Sequence, residues 1–201
     1  MAQPRIVSLL PSATEIAVAL GLGESLVGRS HECDYPLFVK ALPVVTSTRL
    51  EKGLTSRQID DRIQEIVRQG LSVYEVDTAL LRDLRPDLIL TQSQCAVCAV
   101  TPADLEEALG DWIGTAPTLL SLAPDTLEDV WSDFAKVAEA AGIPERASSV
   151  VGDLKERMSG LSRSSAERMD RPRVAAIEWI DPLMAAGNWV PELIEAAGGH
   201  P

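Results

Sequence analysis

The strongest constraint on this chain is the regular exchange of short apolar runs with segments of helical spacing. RIVSLL (residues 5–10) is an apolar run closed by Pro11, and RPDLILTQ (85–92) is a second. Both read as buried strands. From Ser56 to Gln69, apolar Ile59, Ile63, Ile66 and Val67 recur at helical spacing, and Gly70 ends the segment. Thr126–Ala141 places Val130, Phe134, Val137 and Ala141 on one helical face. Shorter strands are expected at 26–28, 43–46, 73–75, 118–121 and 174–179. Further helices are expected from Asp77 or Thr78 to Leu84, over 102–109, from Pro144 to about Met169 and over Pro191–Ala197. Ser12, followed three residues later by Glu15, reads as a capping box that opens a helix running to Gly21. Strands alternating with helices give an α/β fold with a largely parallel sheet. Such sheets bind ligands at the carboxyl ends of their strands. The functional weight therefore falls on the loops at 11–14, 29–36, 46–52, 91–102 and 179–189.

Of the 201 residues, 46% are hydrophobic, enough for a sizeable core. The net charge of −12 argues against a nucleic-acid partner, since phosphate binding needs clustered Lys and Arg. The opening MAQPRIVSLLP interrupts any apolar stretch with Pro4, Arg5 and Pro11, unlike a secretory signal. No run approaches the length of a membrane span. The chain as written is expected to be cytoplasmic, or periplasmic or cell-surface if an upstream signal is missing. Three cysteines are too few for a disulfide scaffold.

The sharpest chemical constellation is His31, Cys33, Cys95 and Cys98. The first two lie on one post-strand loop, and the others form a C-x-x-C pair on a second. If both loops share one sheet edge, four soft ligands could meet around zinc, and thiolate and imidazole also ligate cobalt or iron. The C-x-x-C pair has other readings: a redox pair, two small buried residues, or a disulfide in an exported protein. Trp179 and Trp189 flank a loop after a strand, where a flat indole can cover a large ligand or simply pack. No catalytic motif stands out. The helix start at 12–15 could receive an anionic group on free backbone N–H groups.

Four segments taken in order carry a resemblance: RIVSLLPSATEIAVALGLGESLVG, SHECDYP, LRDLRPDLILTQSQCAVCAV and AAIEWIDPLMAAGNWVPELIEAAGG. Together they resemble the cobalamin/iron-chelate periplasmic-binding family, the class III substrate-binding proteins of ABC transporters, and most closely its cobalamin-binding branch. The resemblance implies two α/β lobes joined by a long helix: residues 1–144 as the first lobe, 145–169 as the inter-lobe helix and 170–201 as the start of a second lobe. It implies a ligand, cobalamin or a related metal chelate, held between lobes. The contacts would be Tyr35, Gln92, Gln94, Cys95, Cys98, Trp179 and Trp189. Glu106 or Glu107 would dock onto the permease of the transporter. Binding would be non-covalent, with no covalent cofactor and no reaction. With a second lobe only begun by Pro201, the chain is expected to be a truncated relative or to pair its exposed strand in a homodimer. The alternative is a cytosolic metal- or thiol-dependent protein built on the His/Cys cluster.

Overall fold

The computed structural model describes residues 3–69, 71–93, 100–110, 112, 114–166 and 170–201, with the backbone alone at 104, 106–108 and 166. At its centre lies β1 (Ile6–Ser8), flanked by β2 (Leu26–Arg29) and β5 (Leu88–Gln92), with β6 (Thr118–Leu122) beyond β5. All neighbours in this β2-β1-β5-β6 sheet run parallel. The α/β fold class expected from the alternating pattern is therefore present. Val44 extends the sheet past β2 through a parallel bridge to Arg29.

Parallel strands are apolar on both faces because helices cover both. In β1, Ile6 packs with Leu10, Ile16 and Leu20 of the α1 region (Pro11–Ala19), with Leu88 and Leu90, and with Phe134 and Val137 of α5 (Leu127–Ala140). Val7 and Leu9 turn to the opposite face. There they meet Ile66 of α2 (Ser56–Arg68), Leu81 of α3 (Thr78–Leu84) and Leu105 of α4 (Pro102–Gly110). Helix starts follow local chemistry. Thr55 with Gln58, and Thr126 with Asp129, form capping boxes, and Asp77 caps α3. The start of α1 differs from expectation. Leu10 is its N-cap without a side-chain cap, and Pro11 occupies the first turn, so Ser12 lies inside the helix. A fixed proline φ suits that position and shifts the boundary back from Ser12.

Two short strands, the second close to the expected 73–75, do not join the parallel sheet. β3 (Thr46–Thr48) and β4 (Tyr74–Val76) pair with each other in an antiparallel ribbon. The last strand also differs: β7 (Ile177–Ile180) forms a hairpin with β8 (Leu183–Ala185), followed by α7 (Val190–Ala196). Ile177, Ile180, Leu183 and Met184 of that hairpin are exposed. The 22-residue α6 (Glu145–Ala166) packs on α5 and on α7. Where α7 ends, Gly198 has φ +88°, and a Cβ there would lie 2.7 Å from the Ser165 Cβ, so α7 meets α6 almost backbone to backbone. No helix among the described residues is long and apolar enough to cross a membrane.

Candidate binding site at the carboxyl edge of the sheet

The loop 30–36 leaves the carboxyl end of β2, and Arg29 fixes its shape. The guanidinium Nη1 donates to the carbonyls of Ser30 and Cys33, both at 3.0 Å, and Nη2 donates to that of Lys40 at 3.2 Å. The Cys33 amide closes a turn onto the Ser30 carbonyl at 3.1 Å. That turn sends His31 and Cys33 in different directions.

Cys33 points inward. It is fully buried, 3.1 Å from Thr14 Oγ1, which also lies 2.8 Å from Ser8 Oγ. Burial pushes the thiol pKa up, against the opposing pull of the Thr14 hydrogen bond. A thiol held protonated is neither a good nucleophile nor a good metal ligand.

His31 is half-buried and turns towards the β3–β4 ribbon. Its backbone N–H donates to Thr46 Oγ1 at 3.0 Å, and its Nδ1 lies 2.8 Å from the same oxygen. Thr46 donates to Ser30 Oγ at 3.0 Å. The imidazole sits beside the Tyr74 ring, with centroids 5.6 Å apart, and Tyr74 donates to Glu32 Oε1 at 3.2 Å. Burial first, then the Glu32 charge, raises the Tyr74 pKa far above its usual value, so the phenol stays neutral. Ser30 and Thr46 are buried, and both have their hydroxyls engaged, as buried polar groups require.

Of the four-ligand metal set expected from the sequence, only His31 and Cys33 lie among the described residues. Cys33 is withdrawn under β1, and no group of three or more His, Cys, Asp or Glu among the described residues could hold a metal ion. Cys95 and Cys98, with Gln94, lie outside the described residues. So do the side chains of Glu106 and Glu107, whose backbones lie on α4. The remaining expected contacts lie on four different segments. Tyr35 is exposed beside exposed Leu37 and Phe38. Gln92 ends β5 and is half-buried. Trp179 is half-buried on β7, with its indole N–H donating to the Asp181 carbonyl at 3.0 Å. Trp189 is half-buried at the N-cap of α7. Among the described residues, no ring contact joins Tyr35, Trp179 and Trp189 to one another. The hairpin carrying Trp179 is tied to the first sheet's side of the molecule through Arg57 of α2, which donates to the Asp181 carboxylate. Arg29, Glu32, Thr46 and Asp181 lie in loops given functional weight from the sequence but were not singled out, and Tyr74 and Arg57 were not anticipated. Of these, Thr46 carried the one usable signal, a small hydroxyl residue at the end of an expected strand.

An open groove between α5 and α6 lies on the helix layer instead. Lys155 fills part of it, 6.0 Å above the Trp131 ring and 3.0 Å from the Glu128 carboxylate.

No protein-family model matches the chain. The chain is 30% identical over 201 residues to a vitamin B12-binding protein of Yersinia pestis, covering 99% of this chain and 60% of that protein. It is 26% identical over 168 residues to a vitamin B12-binding protein of Photorhabdus laumondii, covering 84% of this chain and 49% of that protein. The chain thus spans about half to 60% of these curated relatives. Among solved structures, the periplasmic haem-binding protein RhuT of Roseiflexus superposes with a TM-score of 0.67 at 25% identity, over 100% of this chain and 66% of that one. The periplasmic vitamin B12-binding protein BtuF of Vibrio cholerae gives 0.66 at 23% identity, over 98% and 65%. By sequence this chain is similar to proteins named as vitamin B12-binding, and by fold to periplasmic vitamin B12- and haem-binding proteins.

Proposed function

We propose that this chain binds cobalamin or a related metal chelate, such as haem, and presents it to an ABC transporter. The binding region is the carboxyl edge of the parallel sheet. The observation that carries this reading is the 30–36 loop, held by Arg29 and Thr46 in one shape at the place where open α/β sheets bind ligands. A preformed loop loses little conformational entropy on binding. Exposed Tyr35 and half-buried Trp179 and Trp189 supply flat apolar faces suited to a macrocycle. Gln92, with Gln94, Cys95 and Cys98, completes the proposed contact set.

In the same reading, residues 1–144 form one lobe, 145–169 the connecting helix and 170–201 the beginning of a second lobe. Glu106 or Glu107 on α4 meets the permease. The named relatives are binding proteins, and no chemical conversion of the ligand is proposed. The solved neighbours are named as periplasmic, which favours action outside the cytoplasmic membrane over the cytoplasmic location expected from the sequence. The homodimer anticipated from the sequence gains no support from them. The thiol-dependent alternative is disfavoured by the burial of Cys33.

The test is a titration of the purified chain with cyanocobalamin and, separately, haemin, read by ligand absorbance and tryptophan fluorescence. A saturable one-to-one change at micromolar or lower ligand is expected, corresponding to about −8 kcal/mol or better. Absence of any saturable change with both ligands would overturn the proposal.

A further inference from the structure

We infer that Arg57 is a positioning residue: by holding Asp181 it latches the β7–β8 hairpin across the carboxyl edge of the sheet, and a ligand enters and leaves on the α2 side of that edge. The ligand part rests on the chelate-binding reading above, whereas the latch itself does not.

The first support is where the terminal unit of β7, β8 and α7 touches the rest of the chain. Two of its polar ties reach the starts of two helices. Glu192 of α7 accepts from the backbone N–H of Leu127, the first residue of α5, at 3.0 Å. Asp181 accepts from Arg57, in the first turn of α2. α5 follows the parallel strand β6, so its first turn lies at the carboxyl edge of the sheet. α2 is reached from the same edge, since Thr46 of β3 bonds to Ser30 and His31 just past the end of β2. The two helices cover opposite faces: Phe134 and Val137 of α5 pack with Ile6, whereas Ile66 of α2 packs with Val7 and Leu9. A unit tied to both helices straddles the edge between them.

The second support is the asymmetry of the ties. On the α7 side, Gly198 meets Ser165 almost backbone to backbone, Ser162 donates to the Ala196 carbonyl at 3.0 Å, and the Glu192 carboxylate faces the positive end of α5. On the hairpin side, Arg57–Asp181 is the one polar tie to the rest of the chain among the described residues, and both partners are about half exposed. Such a pair is weak and screened by salt. Ile177, Ile180, Leu183 and Met184 are exposed, so apolar burial adds little there. The unit is therefore hinged at α7 and released at the hairpin.

The third support is what the latch holds. Trp179 donates its indole N–H to the carbonyl of Asp181, the residue that Arg57 grips. Fixing Asp181 thus fixes one of the flat faces offered to the ligand.

Amide hydrogen exchange of the unliganded chain reads the latch. Arg57→Ala should speed exchange in peptides over 176–186 by at least about threefold, with peptides of α7 unchanged, and Arg57→Lys should restore part of the protection. In about 1 M NaCl the parent should exchange as fast as Arg57→Ala, which itself should respond little to salt. Stopped-flow tryptophan fluorescence with cyanocobalamin reads the passage. Arg57→Ala should raise the association and dissociation rates together, each at least about threefold, with Kd altered less. Simple destabilisation would not speed association. Equal hairpin exchange in parent and Arg57→Ala would overturn the latch. Release of α7 together with the hairpin would overturn the hinge. Unchanged cyanocobalamin rates in a variant with a freed hairpin would overturn passage on the α2 side. A freed hairpin with no cyanocobalamin binding in any form would support the latch and remove the chelate reading together with the entry route.

Discussion

The guanidinium of Arg57 on α2 donates to the carboxylate of Asp181, 124 residues away in the turn of the β7–β8 hairpin. Both side chains are about half exposed. An ion pair of that exposure contributes roughly 0.2–1 kcal/mol and is screened by salt. Arg57→Ala and Asp181→Ala are each expected to lower unfolding free energy by less than about 1 kcal/mol. A double-mutant cycle in urea should return a small favourable coupling that vanishes near about 1 M NaCl. Coupling that survives high salt would mean that the pair is desolvated.

Gly28 of β2 is buried where the sheet leaves no room for a side chain. An added Cβ would lie 2.7 Å from Leu84 Cδ1, 3.3 Å from Val7 Cγ2 and 3.4 Å from Val45 Cγ1. The nearest of these is a methyl at the end of a side chain, so a single carbon can be partly accommodated. Gly28→Ala is expected to cost about 1 kcal/mol, and Gly28→Val about 2–3, since overpacking a filled core forces neighbours off their rotamers. Thermal unfolding of the two variants checks the graded order.

These residues also show where reading the sequence succeeds. Helices α2 and α5 were legible because Ile59, Ile63, Ile66 and Val67 in one, and Val130, Phe134, Val137 and Ala141 in the other, recur at helical spacing. LILTQ announced β5 because a strand covered on both faces must be apolar throughout. Strands near β3 and β4 were expected, but their antiparallel pairing was not, because short strands do not announce their partners. In the candidate site, His31 was legible by residue type, but its partners Thr46 and Tyr74 come from a ribbon assembled only in the fold. The orientation of Cys33 was not legible either. The two residues were placed together on one post-strand loop, and the turn onto the Ser30 carbonyl swings Cys33 under β1.

Asp133 on α5 is buried, and burial pushes its carboxyl pKa above the usual value, while the Lys136 ammonium at 2.7 Å pulls the other way. A carboxyl whose folded pKa is raised binds its proton more tightly in the native state. Its contribution is then most favourable below the unfolded pKa of about 4, and stability is lost as pH rises through the folded value. Asp133→Asn removes this titration. The stability of the variant relative to the parent should rise as pH increases above about 4, then level off. Chemical denaturation at several pH values from acid to neutral reads the trend, and a flat difference would show that Asp133 titrates normally.

Cys33 gives the opposite end of the pH scale. Its thiol pKa is raised above the usual 9.0, so the native state keeps a proton that the unfolded chain releases. The sign follows directly: the unfolded state binds fewer protons above about pH 9, and the native state loses stability there as pH rises. Removing the thiol with Cys33→Ala should flatten that alkaline decline, although the lost sulfur also lowers stability at every pH by leaving a small cavity. The same burial protects the thiol chemically. Because only the thiolate attacks, and because Cys33 is fully buried, alkylation has to wait for local or global opening. Mapping iodoacetamide adducts by mass spectrometry should find the Cys33 peptide at least about a thousandfold slower to label in the native chain than in urea. Rapid native labelling of Cys33 would place its sulfur in solvent, and would restore it as a candidate ligand beside His31.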